Sequence, residues 1–170
     1  GITRNLNNIG VIYFQQKDPK KALEYYNKNI KIQEEMQDMS GVAYSYNNMG
    51  TAYSELKQFD KALECFIAGL KIREETKDKR GMSTVLNNIS MVMTQTGKIK
   101  AALEYGKQSL QLAKELEFPE NIRLAERSLS QAYEAEKNYP EAFAHYKQFI
   151  IYRDSINNET TRKASIKSQL

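Results

Sequence analysis

Asparagine is the residue type in this chain whose spacing most looks built for chemistry. The pairs Asn7-Asn8, Asn47-Asn48 and Asn87-Asn88 recur at intervals of forty residues. A primary amide both donates and accepts, so a row of amides can pair with the N–H and C=O groups of an extended polypeptide whatever its side chains. Residues that could make or break covalent bonds have no such order. His145 is the only histidine and Cys65 the only cysteine, and neither is flanked by ligands at metal-site spacing. No glycine-rich phosphate loop and no nucleophile motif occurs, and Glu34-Glu35 and Glu74-Glu75 read as solvated helix faces near Lys31 and Lys71. His145 is in register with Tyr25, Cys65 and Tyr105, a position expected to pack, and Cys65 is expected to be an inert, partly buried thiol. The expectation is a non-enzymatic segment with no cofactor and no metal.

The elements that must position those amides follow from the same period. A shift of forty superposes Asn7-Asn8-Ile9-Gly10, Asn47-Asn48-Met49-Gly50 and Asn87-Asn88-Ile89-Ser90, with Arg127-Ser128-Leu129-Ser130 as a degraded copy. It also aligns Ala22, Ala62, Ala102 and Ala142, and Ile30, Leu70, Leu110 and Ile150. Within each unit the apolar positions follow helical spacing, as in Leu6, Ile9, Gly10 and Tyr13, then Ala22, Tyr26 and Ile30, so each unit is a helix pair. First helices are expected near 2–16, 41–56, 81–95 and 121–136, and second helices near 20–37, 60–77, 98–116 and 140–157. Asp38, Asp60 and Asp78 are the expected N-caps, Pro140 suits a first turn and Gly97 a C-terminal stop. Four repeats (1–40, 41–80, 81–120 and 121–158) then precede a segment 159–170 expected to cap the array or begin a connecting helix.

In a solenoid of helix pairs the first helices line the concave surface and repeat one side chain at regular intervals. Asn8, Asn48 and Asn88 lie off the buried stripe and are the leading peptide-contact candidates. Hydrogen bonding to neighbouring helices or local capping is their competing role, and Asn7, Asn47 and Asn87 follow as weaker candidates, with a wide polar face as the alternative. Arg127 replaces asparagine in the fourth repeat and has the donors to read a carboxylate. A turn away, Arg4, Tyr44 and Thr84 on one side and Val11, Thr51, Met91 and Gln131 on the other vary between repeats, as residues that set side-chain specificity would. Tyr13, Tyr26, Tyr53, Tyr133 and Tyr146 fall at packing positions instead.

The 25 basic and 21 acidic residues are interspersed, so the net charge of +4 builds no stripe of the kind nucleic acid requires. No stretch approaches the ~20 apolar residues of a membrane span, so no direct membrane insertion by this segment is expected. One cysteine excludes an internal disulfide and leaves the compartment open.

The pattern Asn-Asn-Ile-Gly-x-x-Tyr followed by Lys-Ala-Leu-Glu-Tyr-Tyr resembles the tetratricopeptide repeat over essentially the whole chain. A forty-residue unit is similar to the variant found in kinesin light chains, polarity adaptors and bacterial peptide-sensing regulators. That resemblance implies an all-α, right-handed α-solenoid of four helix pairs plus a C-terminal helix or tail, holding a peptide or protein segment in its groove. Similar asparagines in those families contact bound peptide. The run from Tyr146 to Glu159 further resembles the segment closing the sensor regions of bacterial histidine kinases and related regulators. This implies a signal-transduction sensor region, periplasmic in that case, with a kinase domain elsewhere in the parent protein. Otherwise a stand-alone cytoplasmic adaptor or peptide-regulated protein is implied. Oligomeric state is left open, and because Gly1 shares the register of Gly41 and Gly81 the chain reads as a piece excised from something longer.

Overall fold

The structure, a computed structural model, describes the backbone of residues 2–168 and the side chains of residues 2–160. Eight helices follow in order: α1 (Ile2–Gln15), α2 (Pro19–Glu35), α3 (Met39–Glu55), α4 (Phe59–Glu75), α5 (Lys79–Gln95), α6 (Ile99–Glu115), α7 (Pro119–Ala135) and α8 (Tyr139–Ser168). Each packs on its neighbours in sequence, which makes four antiparallel hairpins.

Every turn has one form. The residues at 17, 37, 57, 77, 97, 117 and 137 take positive φ, and the only glycine among them is Gly97 at 76°. The turn after α1 shows why: Lys17 N–H reaches the Phe14 carbonyl at 3.0 Å and Asp18 N–H the Tyr13 carbonyl at 2.9 Å, satisfying carbonyls the helix end would leave bare. That left-handed residue ends each helix even where the side chain is lysine, at a cost of about 1 kcal/mol per site. Asp38 and Asp78 cap α3 and α5, accepting at 2.9 Å from the backbone of Gly41 and Gly81. The expected cap at Asp60 is corrected: α4 starts at Phe59 after Gln58, and Asp60 lies inside the first turn, where its charge opposes the helix dipole's positive end.

The core sits between two helix layers. Ala22, Ala62 and Ala102 are fully buried between paired helices, and Ala142 nearly so. The first helices approach across small residues. Tyr26 covers Gly10 and Phe66 covers Gly50, while Ser90 and Ser130 donate to the carbonyls of Ala102 and Ala142 at 2.8 and 2.9 Å. In the third repeat Gly106 stands where Tyr26 and Phe66 do, and Leu129 of α7 fills the vacated space.

Consecutive first helices touch, α1 with α3, α3 with α5 and α5 with α7, whereas among the described residues no two second helices do. The array therefore curves with α1, α3, α5 and α7 inside.

The expected break near residue 157 does not occur: α8 runs 30 residues, a rod of about 45 Å. The register supplies the reason. Arg162 stands where later first helices start on the buried Val42 and Ile122 and the half-buried Met82, so folding back would bury a charge. Gln169 and Leu170 lie outside the described residues. Tyr146, expected to pack, is half exposed, because among the described residues no further helix covers the face of α8 that matches Phe66. Among the described residues, no helix is long and apolar enough to cross a membrane.

Candidate functional site

The concave surface carries most of the candidate residues. Arg4 and Asn8 are exposed on α1, Tyr44 on α3, Met91 on α5, and Arg127 and Gln131 on α7. Asn7, Asn47, Asn48, Thr51, Thr84 and Asn88 are half-buried at the same surface, and Val11 packs against the first-repeat core. Asn87 is the exception, buried with 4% of its surface exposed.

The amides form a ladder between helices. Asn48 Nδ2 donates to Asn7 Oδ1 and Asn88 Nδ2 to Asn47 Oδ1, both at 2.9 Å. Forty-one residues separate donor and acceptor, one repeat plus one position. The structural role set against peptide contact is thus present for one N–H of Asn48 and one of Asn88, both half-buried. The third rung fails: Ser128 occupies the donor position and turns its hydroxyl to the Ala125 carbonyl at 3.1 Å. Asn87 Oδ1 is left buried with no partner among the described residues, while its Nδ2 makes only a 3.7 Å contact to Met91 Sδ.

Between the inner ends of α3 and α5 the groove deepens into a cavity of about 190 Å³. Phe66, Met91 and Val92 are its apolar lining, and Thr51, Ser54, Glu55, Asn88 and Gln95 ring it with polar atoms. Thr51, Asn88 and Met91 were singled out from sequence; Glu55 was not, because one acidic residue at a helix end has no periodic signal.

Other polar groups are spent on structure. Asn29, Ser45 and Gln33 are bonded in a buried chain, with Asn29 Nδ2 to Ser45 Oγ at 3.0 Å and Ser45 Oγ to Gln33 Oε1 at 2.8 Å. Arg73, in register with Gln33, is buried against Asp78 at 3.3 Å, and desolvation lowers its pKa despite that carboxylate. Sequence reasoning missed Glu126, a buried carboxylate where other repeats have Leu6, Tyr46 and Leu86. It meets His145 Nδ1 at 2.5 Å and Lys114 Nζ at 3.5 Å, and the imidazole stacks on Tyr133 with centroids 5.3 Å apart. His145 packs, as its register indicated, and also pairs with a charge that apolar alignment concealed. Burial, then the nearby Glu64 charge, push the Cys65 thiol up to about 11, so it is largely un-ionised at neutral pH and a poor nucleophile. No group of three or more potential metal-ligating side chains converges among the described residues.

Paired helices, glycine-mediated crossings and an amide-lined inner layer define a helical repeat scaffold. The sequence profile described as Tetratricopeptide repeat matches residues 5–36, 41–115 and 81–150, and the chain belongs to that family. Its fold is the family's right-handed all-α solenoid, and it is a protein-interaction repeat module. No curated protein sequence matched it. Similar solved structures include BtubC (BKLC) from P. vanneervenii, at 19% identity and a TM-score of 0.79 over 91% of this chain. Aspartyl phosphate phosphatase F from Bacillus subtilis gives 16% and 0.84 over 91%, and MamA 16% and 0.66 over 92%. The chain spans 64%, 41% and 81% of those three chains respectively.

Proposed function

We propose that this segment holds an extended peptide or protein segment along the inner surface of α1, α3, α5 and α7, and serves as the sensor or interaction region of a bacterial signal-transduction protein. The observation carrying the groove reading is the amide ladder. One N–H of Asn48 and of Asn88 is used between helices, and the second N–H and the carbonyl of each, one repeat apart, can pair with the C=O and N–H groups of a peptide backbone. Tyr44, Met91, Arg127 and Gln131 stand exposed around them and differ from repeat to repeat, which is where side-chain selectivity would arise. The sensor reading draws on α8, a continuous helix of 30 residues through which a movement of the array would be passed on. The alternative, a stand-alone cytoplasmic adaptor, uses the same groove and gives α8 no output.

The test uses exposed residues, so that binding and folding separate. A peptide selected from a random library for binding the wild-type chain is titrated against the double variant Tyr44→Ala, Arg127→Ala and against Lys31→Ala, Lys71→Ala on the second helices. Affinity should fall about tenfold or more for the inner pair, a typical loss for truncated anchor residues, and stay unchanged for the outer pair. Equal affinity for both variants, with melting temperatures unaltered, would remove the groove assignment.

A further inference from the structure

The cavity between α3 and α5 has a chemical bias that the groove alone does not imply. Thr51 Oγ1 donates its proton to the Asn47 carbonyl at 3.0 Å, and Asn88 Nδ2 is taken by Asn47 Oδ1 at 2.9 Å. What these two residues still offer at the rim are a hydroxyl oxygen and an amide oxygen as acceptors, together with the second N–H of the Asn88 amide. Glu55 adds a carboxylate, which accepts only. It is the sole acidic residue on α1, α3 and α5, is exposed, and forms no ion pair with another side chain among the described residues. Ser54 and Gln95 complete the rim and can accept as well as donate.

Below that rim the lining is apolar: the buried Phe66 and Val92, and the thioether of Met91, whose flexible side chain accommodates an alkyl stem. At about 190 Å³ the cavity equals roughly six water volumes, room for one long side chain and not two. An aliphatic stem against Phe66, Val92 and Met91 with a cationic donor head at the rim is the chemistry of lysine or arginine.

We propose that this cavity is a selectivity pocket for one lysine or arginine side chain of a bound peptide, with Glu55 as the charge partner and the oxygens of Thr51 and Asn88 as further acceptors. The inference rests on the groove reading and can fail without it. An acidic side chain would find donors at Ser54, Gln95 and the second Asn88 N–H but would meet the like charge of Glu55. A purely apolar one would desolvate three acceptor groups without replacing their bonds with water.

The probe is a short peptide selected from a random library, resynthesised with Lys, Arg, Gln, norleucine and Glu at each position in turn. At one position the wild-type chain should prefer Lys or Arg over Gln and norleucine by about three- to tenfold, the range for a partly exposed charge pair. That preference should shrink at high salt. Glu55→Gln, at an exposed helix end, should abolish it, and Glu55→Lys should shift the choice at the same position to Glu. Met91→Ala should weaken Lys and norleucine peptides alike. If selected peptides need Tyr44 and Arg127 but no position prefers a cation, or the preference survives Glu55→Gln, the pocket is wrong and the groove stands. If no selected peptide depends on the inner surface, both fall.

Discussion

Asn47 and Asn87 occupy one register, a repeat apart, yet only Asn47 has a donor for its amide oxygen. The difference lies in the next repeat, where Asn88 reaches back to Asn47 and Ser128 is too short to reach Asn87. A hydrogen bond of this kind contributes about 0.5 to 1.5 kcal/mol, whereas a buried acceptor left bare costs about 1 to 3 kcal/mol. Substituting leucine, close in shape, should therefore separate the two sites in equilibrium denaturation. Asn47→Leu should lower stability by about 1 to 2 kcal/mol, since it also strands the Asn88 amide, while Asn87→Leu should be neutral or stabilising. Equal losses at both sites would show that the ladder does not hold the inner layer together. The asparagine period was legible in the sequence because the same type recurs at one spacing. The rung that fails was not, since it depends on how far a serine reaches. Glu126 was hidden for a related reason: its partners His145 and Lys114 come from two other helices, so no spacing within one segment reveals them.

Helix pairs set the next scale, and there the glycines decide how close two elements come. A Cβ on Gly50 would lie 2.5 Å from Phe66 Cε1, against the face of a buried, rigid ring. On Gly106 it would meet Leu129 Cδ2 at 2.8 Å, the end of a branched aliphatic side chain and not the face of a ring. Both substitutions gain about 1 kcal/mol of helix propensity. Gly50→Ala should nonetheless destabilise by about 1 to 3 kcal/mol through overpacking. Gly106→Ala should cost at least about 1 kcal/mol less, a difference thermal melting of the two variants would resolve. All four hairpins were readable from the apolar period, and their boundaries fell close to those expected. The turns were readable from caps such as Asp38 and Asp78, but their left-handed residue only at Gly97, because elsewhere lysine, glutamine or glutamate takes that conformation, and side-chain type gives no hint of it. α8 runs on past the boundary expected near residue 157, and the apolar stripe a following first helix would need is interrupted at Arg162.

At the scale of the whole molecule, contact between consecutive first helices and none, among the described residues, between second helices produces a surface that is concave on the side of the amides. Repetition places the same group at successive steps along it, as an extended ligand with a repeating backbone requires. Asparagines also lie on the outer layer, with Asn27 exposed on α2 and Asn138 beside the turn into α8. Asparagine is therefore a reporter for both faces. The most direct measurement is nuclear magnetic resonance of the chain labelled with ¹⁵N only at asparagine, titrated with a peptide selected for binding. Side-chain amide signals of Asn8, Asn48 and Asn88 should shift in step with occupancy while those of Asn27 and Asn138 stay fixed. Shifts at Asn27 or Asn138 with Asn8, Asn48 and Asn88 silent would place the ligand on the outer layer and contradict the groove.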